Sequence, residues 1–292
     1  MILVAGANRW SGRALLPALA GRPLRAFVDS EYDAVRLRDQ GFEAVAGNLL
    51  EGRGLDAAMR GVKTLVYVDH MMDRSGDPVA NELGAVQNAM IAARAARVDR
   101  VIFLGHVAAR EGATAQQLVA RWAAELAIRQ SELGWVVLRA PLVIGREATL
   151  FEALRRSVDR MPVVPLFRWR RTEVEPVALG DLVEAIRIAV DDEEIRERSF
   201  DVCGAQRVQM GDVVRGWGRA AGRRRVYLPL PGWGDRFGEQ VAWTLARLPR
   251  RETRLELETL RERQVCVDPS RRFPLPHRPL DSRAALAAVL GD

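Results

Sequence analysis

Lysine is almost missing from this 292-residue chain: Lys63 is the only one among 44 basic residues, the rest being arginine. Standing just before a strand pattern, that single amine leaves little scope for lysine chemistry. Tyrosine is scarce too, with only Tyr32, Tyr67 and Tyr227. The two cysteines, Cys203 and Cys266, have neither metal-ligand nor redox spacing, and the three histidines (His70, His106, His277) form no ligand pattern, so no metal is expected. No apolar run reaches the length of a membrane span. The apolar N-terminal stretch ends in glycine without a basic flank, which reads as a strand and not a signal peptide. A cytoplasmic location away from membranes is the expectation.

Charge of one sign is not in large excess. The 44 basic residues face 38 acidic ones, for a net charge of +6. Arg168-Trp169-Arg170-Arg171 and Arg223-Arg224-Arg225 are basic clusters, but acidic residues are interspersed elsewhere and no nucleic-acid motif accompanies them. The expected partner is therefore a small-molecule substrate, with the chain a monomer or homodimer. At 48% hydrophobic and 28% charged residues the composition is that of an ordinary globular protein.

What is present begins with Ile2-Leu3-Val4-Ala5 running into Gly6-Ala7-Asn8-Arg9-Trp10-Ser11-Gly12. This is the order of a dinucleotide-binding turn in which Arg9 replaces the central glycine. The first glycine allows the tight turn, and the last allows the helix to pack on the strand. The central one lets backbone approach a pyrophosphate at the helix N-terminus. An arginine there is either a replacement phosphate donor, an obstruction, or a source of strain if the position needs φ > 0.

Alternating strand and helix patterns predict an α/β fold, a doubly wound parallel sheet with a smaller, mainly helical C-terminal lobe. Strands are expected at about 2–5, 24–28, 43–46, 64–68, 100–104 and 135–139, and helices at about 12–20, 31–40, 54–60, 79–96 and 114–133. Val174–Val177 and Ser199–Val202 read as late additions to the same sheet, with a helix from Gly180 between them. The dinucleotide-binding domain is then 1–145 with 174–204 returning to it. Residues 146–173 and 205–292 form the substrate lobe, where Trp233, Phe237 and Trp243 fit either a pocket wall or lobe packing.

In such sheets ligands lie beyond the carboxyl ends of the strands. Asp29 follows the second strand, 23 positions after Gly6, where a carboxylate holds the adenosine ribose and repels a 2′-phosphate. NAD is thus expected over NADP; the competing role of Asp29-Ser30 is to cap the next helix. Tyr67, Asp69 and His70 end the fourth strand and His106 the fifth. The two histidines are expected to meet in one crevice and to titrate near neutrality. Arg139 and Arg168 are candidates for a substrate carboxylate.

These features together resemble the extended and atypical branch of the short-chain dehydrogenase/reductases, including NmrA-like NAD(P)H-binding proteins. The motifs are Gly6 to Gly12, Val45-Ala46-Gly47-Asn48-Leu49, Gly84 to Asn88, Val137 to Gly145, Glu175 to Leu182 and Phe200 to Gly204. The resemblance implies that Gly6, Asn8, Arg9, Trp10 and Gly12 face the pyrophosphate and Asp29 the ribose. Asn48 and Leu49 would flank the adenine, and the loop carrying Pro141 and Val143 would cover the nicotinamide.

Most members use Tyr-x-x-x-Lys on the fifth helix; here Gln117 to Arg121 occupies that stretch. Glutamine has no exchangeable proton near neutral pH and arginine stays protonated, so that mechanism is excluded. The candidates for the catalytic work are His106 first, then His70, Tyr67 and Arg121. The resemblance implies an NAD(P)-dependent oxidoreductase acting on a small-to-medium, partly apolar substrate. The alternatives are a non-redox isomerase, dehydratase or cyclase with the cofactor lost, or a dinucleotide-sensing regulator.

Overall fold

Residues 1–230 and 250–291 are described by the computed structural model. Short β-branched runs alternating with helices form β1 (Ile2–Ala5), α1 (Trp10–Ala18), β2 (Leu24–Val28), α2 (Glu31–Asp39), β3 (Glu43–Ala46), α3 (Leu55–Met59), β4 (Thr64–Tyr67), α4 (Pro78–Ala95), β5 (Arg100–His106), α5 (Gln116–Arg129) and β6 (Gly134–Ala140). The later elements are β7 (Val143–Ile144), α6 (Thr149–Arg160), β8 (Val163–Leu166), β9 (Glu173–Val174), β10 (Val177–Ala178), α7 (Leu179–Asp191), β11 (Arg198–Asp201), β12 (Val208–Gln209), α8 (Met210–Ala220), β13 (Val226–Pro229), α9 (Arg250–Thr259) and α10 (Ser282–Gly291).

Seven strands form one parallel sheet in the order β11-β6-β5-β4-β1-β2-β3. Strand order reverses between β1 and β4, which opens the crevice at their carboxyl ends. The central strands β1 and β4 are largely apolar and fully buried because both faces are covered. Alternation along each strand sends Leu3, Phe27, Leu65, Tyr67 and Phe103 into one core and Val4, Val28, Val66 and Ile102 into the other. Fully burying each such side chain stabilises the fold by about 1.5–3 kcal/mol.

The segment Val174–Val177 does not join this sheet. β9 pairs antiparallel with β12 and β10 pairs parallel with β7, in separate two-stranded units. Pro176 stands between them and has no N–H for a continuous ladder. β11, by contrast, extends the main sheet alongside β6. Cys203, just beyond β11, is disulfide-bonded to Cys266, with Cα atoms 6.3 Å apart; their sequence spacing carried no sign of the pairing. No helix among the described residues is long and apolar enough to cross a membrane.

Candidate functional site

The glycine turn is built as its residue types require. Gly6 has φ +86°, and a Cβ there would stand 2.7 Å from the Asp69 Cα. A Cβ on Gly12 would lie 2.2 Å from the Gly6 carbonyl oxygen, so α1 packs on the turn only because Gly12 is bare. Arg9, at φ −75° and ψ 161°, is the N-cap of α1 in extended backbone. The position needs no glycine, and the strain considered for it is absent. α1 starts with no side-chain cap and no acidic residue in its first turn. Its first N–H groups and the positive end of its dipole therefore suit an anion.

The Arg9 guanidinium lies across this turn, bonded to Asp69 (2.8 Å), to Asp73 (3.0 and 3.3 Å) and to the His70 carbonyl (3.3 Å). Burial lowers its pKa, but Asp69 and Asp73 outweigh that and hold it above the usual arginine value. Burial in turn raises the Asp69 carboxyl, with Arg9 pulling it back.

Asp29 accepts from Asn8 Nδ2 at 2.7 Å and from Arg74 at 2.8 Å, with Arg9 3.7 Å away. Ser30, not Asp29, caps α2 by accepting from the Asp33 N–H. Asp29 is thus left to the crevice. Two polar atoms of this cluster, Asn8 Oδ1 and Arg74 Nε, are buried without a hydrogen-bond partner among the described residues. The Asn8 Oδ1 acceptor suits the O–H of a ribose hydroxyl.

Asn48, which the resemblance places beside the adenine, also has a bonding role within its own loop. Its Oδ1 accepts from the Leu50 and Glu51 N–H groups and closes its own turn, while the Leu49 carbonyl accepts from Asn88.

At the other end of the crevice a cavity of about 90 Å³ is lined by Trp10, Ser11, His70, His106, Gln117, Arg121, Pro141 and Val143. The two histidines do meet here. Burial, with Arg121 adding to it, lowers His106 to about 3; burial, Arg9 and Arg121 lower His70 to about 3. Both imidazoles are therefore neutral near pH 7, against the expectation that they titrate there. His106 Nδ1 accepts from the Ala108 N–H at 3.1 Å, which leaves the ring proton on Nε2.

Arg121, where the resemblance implies a lysine, donates to Glu82 (2.6 Å), to the Asp69 carbonyl (2.8 Å) and to the Leu104 carbonyl, and lies over the Phe103 ring. It ties α5 to α4 and to the ends of β4 and β5. Gln117, where the resemblance implies a tyrosine, has its Oε1 buried without a partner among the described residues.

Tyr67 does not line this cavity. It is fully buried in the core against Phe103, and burial raises its phenol pKa well above the ordinary value. Its side chain follows the strand alternation into the core between the sheet and helices α4 and α5, and it is not among the residues that line the cavity. Arg139 is held by the buried Glu125 carboxylate at 2.6 and 2.9 Å, and Arg168 is exposed outside the cavity, so neither reaches a substrate there. Trp233, Phe237 and Trp243 lie outside the described residues.

Arg74, Asp73 and Glu82 went unrecognised in the sequence, although Asp73 and Arg74 follow β4 and the strand-end rule covers them. Glu256 and Thr259 of α9 also line the cavity, and no motif marks them. They arrive on α9, whose approach to the crevice is a long-range contact that local sequence pattern does not show.

The profile of a family described as NAD(P)H-binding matches residues 6–161. No curated relative matches the chain in sequence. Among solved structures, the triphenylmethane reductase of Citrobacter sp. superposes with a TM-score of 0.78 at 19% identity, over 100% of this chain and 99% of that one. The NADPH-dependent quinone oxidoreductase of Escherichia coli, complexed with NADPH, gives 0.76 at 14% identity over 99% and 100%. The UDP-glucose 4-epimerase of Thermus thermophilus, in complex with NAD, gives 0.65 at 18% over 79% and 86%. At these identities the likeness is one of fold.

Proposed function

Because the chain belongs to the NAD(P)H-binding family, we propose that it is a cytoplasmic NAD(P)-dependent oxidoreductase of the atypical short-chain dehydrogenase type. It acts, as a monomer or homodimer, on a small-to-medium, partly apolar organic substrate without a Tyr–Lys pair. The observation that carries this reading is the Gly6 turn feeding the uncapped start of α1 beside Asp29. Gly6, Gly12 and the first N–H groups of α1 at Trp10 would hold the pyrophosphate. Asp29 and Asn8 would hold the adenosine ribose, the Asn48–Leu49 turn the adenine, and Pro141 with Val143 the nicotinamide. A bound dinucleotide supplies hydride exchange. The Asp29 carboxylate favours NAD, since a 2′-phosphate beside it meets like charge.

The chain's own residues position the substrate. With its proton on Nε2, His106 donates a hydrogen bond to a substrate oxygen and polarises it. A group with a pKa of about 3 is a poor proton source at neutral pH, and neither Gln117 nor Arg121 exchanges one. Among the described lining residues Glu256 is the one carboxyl, and the proton exchange is assigned to it.

The test is a fluorescence titration with NADH and NADPH, followed by transfer of deuteride from 4-deuterated NADH to a panel of quinones and carbonyl compounds. Binding with transfer is expected. Failure of both dinucleotides to bind overturns the proposal. Binding without transfer favours a second reading, a dinucleotide sensor without turnover. The small cavity of about 90 Å³ supports that alternative, since ligand pockets usually span about 300–1,000 Å³.

A further inference from the structure

Asp29 is not a bare carboxylate. Arg74 donates to it at 2.8 Å and Arg9 stands 3.7 Å away, so two guanidinium groups face one acid. Arg9 is already engaged by Asp69 and Asp73. Among the described residues Arg74 makes no hydrogen bond to any carboxylate but Asp29, and its Nε lies 3.9 Å from Asp73. An incoming 2′-phosphate would meet a carboxylate and an adjacent guanidinium whose charges offset each other.

We infer that Arg74 is the residue that sets how strongly this site discriminates against an adenosine 2′-phosphate; the inference rests on the dinucleotide reading above and names a specificity determinant within it. Arg74 comes from the loop between β4 and α4, which is held in shape at several points. The Arg74 N–H donates to the Met71 carbonyl at 3.1 Å, and the Met71 N–H donates to the buried Glu82 at 2.8 Å. Asn81 fixes the Ser75 carbonyl at 2.8 Å. The guanidinium is therefore presented to Asp29 by an ordered turn.

Its chemistry suits the task. A planar guanidinium can bond a carboxylate and a phosphate through separate N–H groups, and Arg74 Nε is a buried donor without a hydrogen-bond partner among the described residues. Asn8, which also bonds Asp29, has an unpartnered Oδ1 that suits a ribose hydroxyl. The structure thus combines an NAD-type carboxylate with an arginine able to accept the extra phosphate. The carboxylate sets the direction of the preference, and Arg74 limits its size.

The competing explanation is a half-exposed surface ion pair of little consequence. Dissociation constants for NADH and NADPH, measured by fluorescence on the full chain and on Arg74→Ala, Arg74→Lys and Asp29→Asn, separate the two. In Arg74→Ala the ratio of NADPH to NADH dissociation constants should rise about tenfold, mostly through weaker NADPH binding, as expected for loss of one charge-assisted contact to phosphate. Arg74→Lys should restore most of the wild-type ratio, and Asp29→Asn should move it towards NADPH. Raising the salt concentration should shrink the difference between wild type and Arg74→Ala.

If Arg74→Ala melts early, Arg74→Gln carries the same measurement without the charge. Both dinucleotides binding with an unchanged ratio in the neutral variants overturns the role of Arg74 and leaves the dinucleotide reading intact. No binding of either to the wild type overturns both.

Discussion

The Arg9 guanidinium donates to the Asp69 carboxylate across 2.8 Å, joining the residue that replaces a glycine at the head of α1 to the end of β4. Asp69 is almost fully buried and is drawn towards its neutral form by that burial, so Arg9 is what keeps its charge compensated.

Arg9→Ala should therefore cost about 3 kcal/mol in a urea melt, the range for removing one partner of a buried pair. Adding Asp69→Asn should recover much of the loss, because the buried carboxylate that Arg9 compensated is then gone and Asp73 is partly exposed. The same single variant should weaken NADH binding, since Asp29, Asp69 and Asp73 would face the pyrophosphate without their shared cation. Tighter binding in Arg9→Ala would show instead that the guanidinium obstructs the phosphate path.

The two crevice histidines predict an acid-labile fold. Each has a folded pKa of about 3 against an ordinary 6.5, so between those values the unfolded chain binds more protons. Their contribution is complete above about pH 6.5 and is lost as pH falls towards 3, with a slope approaching about 1.4 kcal/mol per pH unit for each histidine. Asp69 and Glu82, whose carboxyls are raised by burial, act in the opposite direction. The histidine part is therefore read by difference: melting temperature against pH should be flatter in His70→Gln and His106→Gln than in the wild type. Parallel curves would mean that the imidazoles titrate normally.

Most of the fold was legible because its signals are local. The Ile2–Ala5 run, the glycines at 6 and 12, and the strand–helix alternation each act over a few residues and agree with one another. The crevice was legible to the extent that strand ends define it, which brought Asp29, His70 and His106 to their places. Protonation was not legible. The lowered pKa of His106 comes from burial and from Arg121, 15 residues further along the chain. The contributions of Glu256 and Thr259 depend on how the C-terminal lobe docks, and the Cys203–Cys266 bond on the same docking. Tyr67 illustrates the remaining ambiguity: a strand-end tyrosine points to the site or the core by a one-residue alternation, and here it points to the core.

Tyr67 accordingly predicts a stabilising substitution. Its hydroxyl is buried without a hydrogen-bond partner among the described residues, and a polar group in that state costs about 1–3 kcal/mol. Tyr67→Phe keeps the ring packing on Phe103 and removes the cost, so the denaturation midpoint should rise with dinucleotide binding unchanged. A fall in stability would reveal a partner for the hydroxyl.

The Cys203–Cys266 bond closes a loop with a sequence separation of 63 residues that includes α8 and α9. A cross-link of that span stabilises by about 4 kcal/mol in the chain-entropy estimate. Cys203→Ser, or dithiothreitol on the wild type, should lower the unfolding free energy by up to that amount. Equal stability with and without reductant would mean that the bond contributes nothing to the folded state.

The sharpest prediction separates His106 from Glu256. His106 presents a fixed N–H through Nε2 and remains neutral down to a pKa of about 3, so the role proposed for it is to donate a hydrogen bond and not to exchange a proton. Replacing it with alanine removes the donor and should lower kcat by about 10²-fold, the size of losing one transition-state hydrogen bond. His106→Gln, whose side-chain amide can still donate, should recover part of that loss. Neither substitution should move the pH dependence of kcat/KM near neutrality. Glu256 differs because its carboxyl can exchange a proton, and Glu256→Gln preserves its shape while removing that capacity. In Glu256→Gln the rate should fall and the limb of the pH profile assigned to a single acid–base group should disappear, with NADH affinity unchanged. A limb that survives in Glu256→Gln and vanishes in His106→Gln would return the proton to the histidine. That result would require its pKa to rise by several units once substrate and dinucleotide fill the cavity, because the buried imidazole beside Arg121 is otherwise held neutral.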